Sequence, residues 1–341
     1  MKKYRVGIVG CGNIFPMHAV SIQNNPNLEL VAVCDNKPDR VKAASEAFLC
    51  NAYTDYQEML DLESLDVVHI CTPHYLHAPM TIWAAQHNIH VLTEKPMAIN
   101  VEDATKMIKA CREHGVFLGV IFQNRYNNGA AFIKNTLESG ALGKIKAAKM
   151  QVAWDRSDEY YSKSDWKGTW DKEGGGVVID QAIHTLDLMR WFVGEPIDYI
   201  DANINNRVHK LIVVEDSAEG IIMFKNGVIG SFHVINFYTT DSPVTVELHC
   251  EHGFISYIGD VATIKYHNGK TEVVGPNQNE KFNYGNVKSY WGVSHVKQIN
   301  EFYQSIQKDQ KPIIDGEEAL ATQKIVNAIY DSGKTRQKIR F

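Results

Sequence analysis

Between Tyr4 and Phe122, compact apolar runs alternate with segments whose apolar positions recur every three to four residues. YRVGIVG, LELVAVCD, LDVVHICT, NIHVLTEKP and VFLGVIF read as strands, the fourth ending in a turn. CGNIFPMHAVSIQ reads as a turn and then a helix, and PDRVKAASEAF, APMTIWAAQH and VEDATKMIKACREHG read as helices. Short continuous apolar runs suit strands covered on both faces, and periodic segments suit helices with one buried stripe. Their alternation predicts an α/β fold whose sheet is parallel and doubly wound, with right-handed crossovers.

Past Phe122 the rhythm changes. NGAAFIKNTLESGALG predicts a helix with a glycine stop, KIKAAKMQVAW a strand, and GGGVVIDQAIHTLDLMRWFVG one amphipathic helix entered through three glycines. YIDANINNRV, SAEGIIMFKNGVIGSFHVINF, VTVELHCEHGFISYI and ATIKYHNGKTEVV alternate apolar with polar residues around Asn-Gly and similar turns, the pattern of an antiparallel sheet. If its outer face is as apolar as its Ile, Val and Phe content suggests, that face is an oligomer interface. YWGVSHVKQINEFYQSIQ and DGEEALATQKIVNAIYDSG close the chain as helices.

Composition narrows the picture. A chain of 341 residues exceeds what one core usually supports, so a doubly wound domain over residues 1–123 and a second α/β domain over 124–341 are expected, the second with a large, mostly antiparallel open sheet. A net charge of -5 with no block of like charge argues against nucleic acid as a partner. The six cysteines form no CxxC pair, so reduced thiols are expected, with no disulfide frame and no metal site. Two lysines before the first apolar run mimic a secretion signal, but the run is short and glycine-interrupted. No apolar run reaches the ~18 residues of a membrane span. A cytoplasmic location is the expectation.

The chemistry begins at the first turn, Gly10-Cys11-Gly12-Asn13-Ile14-Phe15. Gly10 permits a tight turn, and Gly12 lets a pyrophosphate approach the following helix N-terminus. Asp35 closes the second strand, where an acid accepts from ribose hydroxyls. That acid favours NAD, while Lys37 and Arg40 just beyond it keep NADP possible. Phe15 stands where a third glycine is usual, so its ring either loosens the helix or faces the ligand. Thr72, Pro73, His74 and His77 follow the third strand at its carboxyl end and are expected to line the cofactor groove, unless His77 only caps the next helix. Lys95 ends the next strand, with Glu94 placed to orient it.

The second domain adds flat faces and charge. Trp154, Tyr160, Tyr161, Trp166 and Trp170 suit sugar rings, or equally staple their loop to the core. Asp180 and His184 lie one helical turn apart and Asp187 three further on, so an aspartate can orient the imidazole and make it a general base. No strongly basic patch marks a diphosphate tail on the substrate, though Arg125, Arg156 and Lys167 could supply one. His295, beside Tyr290 and Trp291, could reach a substrate or simply pack.

Gly10-Cys11-Gly12-Asn13-Ile14, Thr72-Pro73 with His77, Glu94-Lys95-Pro96, Asn124-Arg125-Tyr126, and Gly174-Gly175-Gly176 followed by Asp180, His184 and Asp187 together resemble one family over nearly the whole chain. It is the glucose–fructose oxidoreductase, inositol dehydrogenase and rhizopine-catabolism (Gfo/Idh/MocA) family of NAD(P)-dependent sugar oxidoreductases. The resemblance implies a Rossmann domain, a C-terminal sheet that forms homodimers or homotetramers, and a cis peptide between Lys95 and Pro96. It implies Lys95, Asp180 and His184 as catalytic residues. The cofactor set becomes Gly10, Gly12, Asn13, Ile14, Asp35, Arg40, Thr72, Pro73, His74, His77, Glu94, Lys95 and Gln123. The substrate set becomes Arg125, Trp154, Trp166, Asp180, His184, Tyr290 and His295. Phe15, and His74 where asparagine is common, depart from the family pattern. The activity implied is hydride transfer between a secondary alcohol of a sugar, polyol or inositol and the nicotinamide. The alternatives are a glycosidase that oxidises its sugar transiently and an inert NAD(P)-sensing regulator.

Overall fold

The computed structural model describes residues 3–277, 279, 280, 282 and 294–341. The chain divides into two compact units, Met1–Gln123 with Glu280–Ala321, and Asn124–Asn279 with Thr322–Phe341. The first unit thus takes in a late segment that a single cut after residue 123 would leave out.

In the first unit, strands β1 (Tyr4–Val9), β2 (Leu28–Cys34), β3 (Asn51–Tyr53), β4 (Val67–Ile70), β5 (His90–Thr93) and β6 (Leu118–Val120) form a parallel sheet in the order β3-β2-β1-β4-β5-β6. That order has a topological switch between β1 and β4, where such sheets bind ligands beyond their carboxyl ends. Helices α1 (Phe15–Gln23), α2 (Pro38–Phe48), α3 (Tyr56–Leu62), α4 (His74–Gln86) and α5 (Val101–Glu113) connect the strands. Asn100 caps α5 by accepting the Asp103 N–H at 2.7 Å while its own amide reaches the Asp103 carboxylate at 2.8 Å. The first bond satisfies one otherwise orphaned donor of the first turn, and the second holds the capping side chain in place. Edge strand β6 is closed by the late segment: Val120 donates to Ile314 O, and Gln298 bonds Val120 O and the Phe122 N–H. The helix Ser294–Gln307 also sends Ile299, Phe302 and Tyr303 into the core beside Val6, Ile8 and Ala19.

In the second unit, α6 (Asn128–Glu138), α7 (Asp158–Ser162), α8 (Val177–Asp180) and α9 (Ile183–Val193) accompany a nine-stranded sheet. Its strands are β7 (Ile145–Ala153), β8 (Ile197–Asn205), β9 (Ser217–Phe224), β10 (Ile229–Ile235), β11 (Thr245–Cys250), β12 (Gly253–Ile258), β13 (Val261–Tyr266), β14 (Thr271–Val274) and β15 (Ile339–Arg340). They lie in the order β14-β13-β12-β11-β7-β10-β9-β8-β15, antiparallel throughout except for the parallel pair β7 and β10. The outer face is mixed, with Ile229, Ile258, Val261 and Val273 exposed on it among polar residues. Lys149, Gln151, Ser231, His233 and His249 stand exposed on neighbouring strands, and Lys149 pairs with Glu247 at 2.8 Å.

Among the described residues, no helix is long and apolar enough to cross a membrane. All six cysteines are free thiols, with Cys34, Cys71, Cys111 and Cys250 buried.

Candidate active site

The first set of site residues lies at the carboxyl ends of β1, β2, β4 and β5. Gly10 has φ +100°, and a Cβ there would lie 2.4 Å from Cys71 O, so only glycine fits where the turn crosses the end of β4. Gly12 has open space, with the Arg40 guanidinium as its nearest neighbour at 3.9 Å from the Cβ position. Asn13 is exposed and Ile14 half-buried. Phe15 is resolved as core: its ring is buried edge-on against Phe48 at 5.5 Å, so it does not face a ligand. Asp35 ends β2 with one oxygen accepting the Cys11 N–H at 2.8 Å and the other the Lys37 N–H at 2.9 Å. These bonds tie the acid to the glycine turn. Lys37 and Arg40 are exposed on the start of α2.

Thr72 and Pro73 are half-buried after β4, and His74 is buried at the first position of α4. His77 is a correction. It is fully buried inside α4, with Nδ1 2.7 Å from Pro96 O and Nε2 2.9 Å from Thr72 O. Both nitrogens face backbone carbonyls, so the ring lies between the loops after β4 and β5 and points neither nitrogen at open space. Burial pulls its pKa down, opposed by those carbonyls. Since a neutral ring has one N–H, it serves one carbonyl at a time.

Glu94 also differs from expectation. Its Oε1 faces His18 Nε2 at 2.9 Å and His295 Nε2 at 3.5 Å, while Oε2 lies 3.3 Å from the Lys95 backbone N. His18 Nδ1 meets His69 Nδ1 at 2.9 Å, and His69 Nε2 meets the Tyr303 hydroxyl at 2.8 Å. Burial opposes ionisation of Glu94, but the bonds from His18 and His295 outweigh it and hold the carboxyl well below the usual range. Burial keeps both His18 and His69 below the ordinary imidazole value. One proton arrangement then satisfies the row: Tyr303 donates to His69, His69 to His18, and His18 to Glu94. His295, expected at a substrate, is buried with Nε2 beside this carboxylate and with no hydrogen-bond partner for Nδ1 among the described residues. His18, His69 and Tyr303 escaped the sequence reading because 51 and 234 residues separate the bonded pairs. Among residues 91–98 only Lys95 is partly exposed, and its peptide to Pro96 is cis.

Gln123 begins a short 3₁₀ turn beyond β6, and its carboxamide oxygen is buried without a hydrogen-bond partner among the described residues. A buried carbonyl of this kind suits an amide N–H donor. With the glycine turn and Asp35, it makes the residues present fit a nicotinamide dinucleotide.

The second set lies in the second unit. Asp180 and His184 are not on one helix: α8 ends at Asp180, and α9 begins at Ile183. The three glycines fit the protein itself as much as any ligand. A Cβ on Gly175 would lie 2.0 Å from the Tyr330 hydroxyl, and one on Gly176 2.0 Å from Glu215 O. Along residues 173–189 every residue is buried except Asp180 and His184. Asp180 Oδ2 accepts from Lys167 Nζ at 2.5 Å, Gln181 Nε2 at 2.7 Å and the Tyr160 hydroxyl at 3.0 Å.

Asp187 does not belong to this pair. It takes two bonds from Arg125, both at 2.6 Å, and one from the Thr322 hydroxyl at 2.7 Å. Arg125, expected at a substrate, is therefore accounted for as half of a buried ion pair. The aromatic loop is also partly self-satisfied. Arg156 stacks on Trp154 at 4.8 Å, Lys167 on Trp166 at 4.6 Å, and Lys334 on Trp170 at 3.9 Å. Tyr290 and Trp291 lie outside the described residues.

Residues 4–122 match the family described as "Oxidoreductase family, NAD-binding Rossmann fold", and residues 131–256 match the GFO/IDH/MocA C-terminal domain. The chain belongs to this Gfo/Idh/MocA family of NAD-dependent sugar and polyol oxidoreductases, and its first unit is an NAD-binding Rossmann domain. It is similar to the WlbA dehydrogenase from Bordetella pertussis, solved with NADH and UDP-GlcNAcA. Identity is 30% with a TM-score of 0.86, covering 100% of this chain and 99% of that one. D-glucoside 3-dehydrogenase of Escherichia coli is 26% identical over 99% of this chain and 97% of its own length. Myo-inositol 2-dehydrogenase of Thermotoga maritima is 26% identical, the match spanning 66% of each chain.

Two outcomes follow from the geometry. Asp35→Ala removes a charged acceptor, a loss worth about 1.5–3 kcal/mol, so NADH affinity falls ~10–100-fold by titration calorimetry while NADPH loses less. Unchanged NADH affinity would show that Asp35 has no part in cofactor binding. The second concerns Glu173, which is fully buried, accepts the Gly168 N–H at 2.5 Å and lies 3.6 Å from Lys167 Nζ. Burial pushes its carboxyl up to about 8 against the pull of Lys167. The folded state then holds a proton that the unfolded chain releases above its ordinary value, so this group's contribution declines as pH rises from about 4.5 to 8. Melting temperatures taken between those limits are expected to show a smaller decline for Glu173→Gln than for the parent. Parallel curves contradict the assignment.

Proposed function

We propose that the chain transfers a hydride between a secondary alcohol of a sugar, polyol or cyclitol and the nicotinamide of NAD, with Lys95, Asp180 and His184 in the acid/base roles. The observation that carries this reading is the pattern of exposure. The buried run 173–189 opens only at Asp180 and His184, and the buried run 91–98 opens only at Lys95. An imidazole can accept the alcohol proton, a carboxylate can stabilise the resulting cation, and an ammonium can support the developing alkoxide. When bound, the nicotinamide supplies the hydride acceptor. The alcohol C–H bond gives up hydride, its O–H proton passes to the His184 ring, and a carbonyl remains. Lys95 donates to the same oxygen and supports its developing negative charge. Asp180 stabilises the imidazolium that forms.

The names of the relatives suggest which substrates to try. Methyl glucosides, myo-inositol, other free polyols and UDP-GlcNAcA are each mixed with NAD⁺ and enzyme, and NADH absorbance is followed. Reduction with at least one sugar or cyclitol is expected. NAD⁺ binding without reduction by any of these classes contradicts the reading. Assembly as a homodimer or homotetramer through the open sheet belongs to the same proposal.

A further inference from the structure

Three donors converge on one oxygen of Asp180, and they are not equivalent. Gln181 and Tyr160 are neutral, whereas Lys167 brings a full charge to 2.5 Å. The Lys167 side chain is only 15% exposed, and its ammonium lies against the rings of Tyr160 at 4.8 Å and Trp166 at 4.6 Å. Aromatic faces and a carboxylate therefore hold the cation from several sides. A proton arriving on Asp180 must dissolve this ion pair in a setting poorly supplied with water. The other titratable groups near Asp180 are Tyr160 and Tyr161 on α7, Glu173 in the preceding loop and His184 one turn on in α9. Burial holds Glu173 towards its neutral form, so it competes weakly for the ammonium.

We infer that Lys167 is a positioning residue that keeps Asp180 an anion throughout the reaction, so that Asp180 acts by charge and leaves proton transfer to His184 or Lys95. This rests on the hydride-transfer reading. It gives a role to a residue that the sequence alone connects only with a diphosphate tail of the substrate.

The test uses the full-length protein with ¹³C-labelled aspartate, the Asp180 carboxyl signal being assigned with Asp180→Asn. In the unaltered protein that signal is expected to stay in its ionised position from pH 8 down to about 5. In Lys167→Met it titrates at least about one pH unit higher, and in Lys167→Arg it returns close to the parent. With a substrate found in the panel, Lys167→Met lowers kcat ~10–100-fold with little change in KM and shifts the acid limb of the kcat profile upward. Lys167→Arg recovers most of that rate. A Lys167→Met signal that titrates with the parent, or a parent midpoint above about 5, overturns the inference. The second criterion holds even if the methionine variant does not fold. A shifted titration in a protein whose parent form reduces no NAD⁺ with any sugar overturns the hydride-transfer reading instead.

Discussion

Alanine at Lys95 or at His184 is expected to lower kcat for sugar oxidation by ~100-fold or more, the scale of a lost acid/base group. The two variants differ in what else changes. His184 lies in the second unit, so His184→Ala leaves NADH affinity at the parent value while turnover collapses. Lys95 closes a strand of the NAD-binding sheet, so Lys95→Ala affects cofactor affinity as well as rate. A group that accepts the alcohol proton sets the acid limb of kcat against pH. The variant in which that limb disappears identifies the acceptor. Stopped-flow NADH formation with the best panel substrate measures both effects, and near-parental rates in both variants contradict the assignment.

The second large effect is on stability. Asp187→Ala leaves the Arg125 guanidinium buried without its bidentate acceptor and removes the acceptor of the Thr322 O–H. Breaking a buried ion pair from one side costs about 3–5 kcal/mol. Burial raises the Asp187 carboxyl, but Arg125 and its bonds outweigh that and hold it below the ordinary value. Its contribution is therefore present at neutral pH and is lost as pH falls through the folded value. Replacing both partners, as in Arg125→Met with Asp187→Leu, is expected to restore much of the loss, because the buried Arg125 charge goes too, while Arg190, 3.7 Å from Asp187, keeps its bond to the Thr322 hydroxyl. Denaturant unfolding followed by tryptophan fluorescence measures all three variants. A single variant within ~0.5 kcal/mol of the parent contradicts the structural role given to the pair.

The Rossmann unit was legible because buried parallel strands write themselves as continuous apolar runs. The parts that escaped lack that signature. Strand β3 is three residues, Asn51–Tyr53, at the sheet edge and mostly exposed, so no apolar run marks it. Helix α4 starts at His74 and contains Pro79, which reads as a helix opening rather than an interior residue. Asp180 and His184 stand four apart as on one helix, yet the Ala182 N–H bonds Val177 O, five residues back, and the helix restarts at Ile183. Side-chain periodicity does not report such a break. The Arg125–Asp187 pair and the row from Glu94 to Tyr303 join residues remote in sequence, and spacing arguments are blind to them. The loop aromatics were correctly seen as flat polar-edged surfaces, but the cations that cover several of them became visible only in three dimensions.

The central claim is that a carbon-bound hydrogen of a carbohydrate moves directly to NAD⁺. Carbon-deuterated methyl glucoside, myo-inositol and UDP-GlcNAcA, incubated with enzyme and NAD⁺, test it most directly through the mass of the reduced cofactor. The account predicts NADH carrying one deuterium from whichever substrate reacts, together with a slowed rate. Unlabelled NADH from a deuterated substrate, or cleavage of the glucoside with no net cofactor reduction, would contradict it.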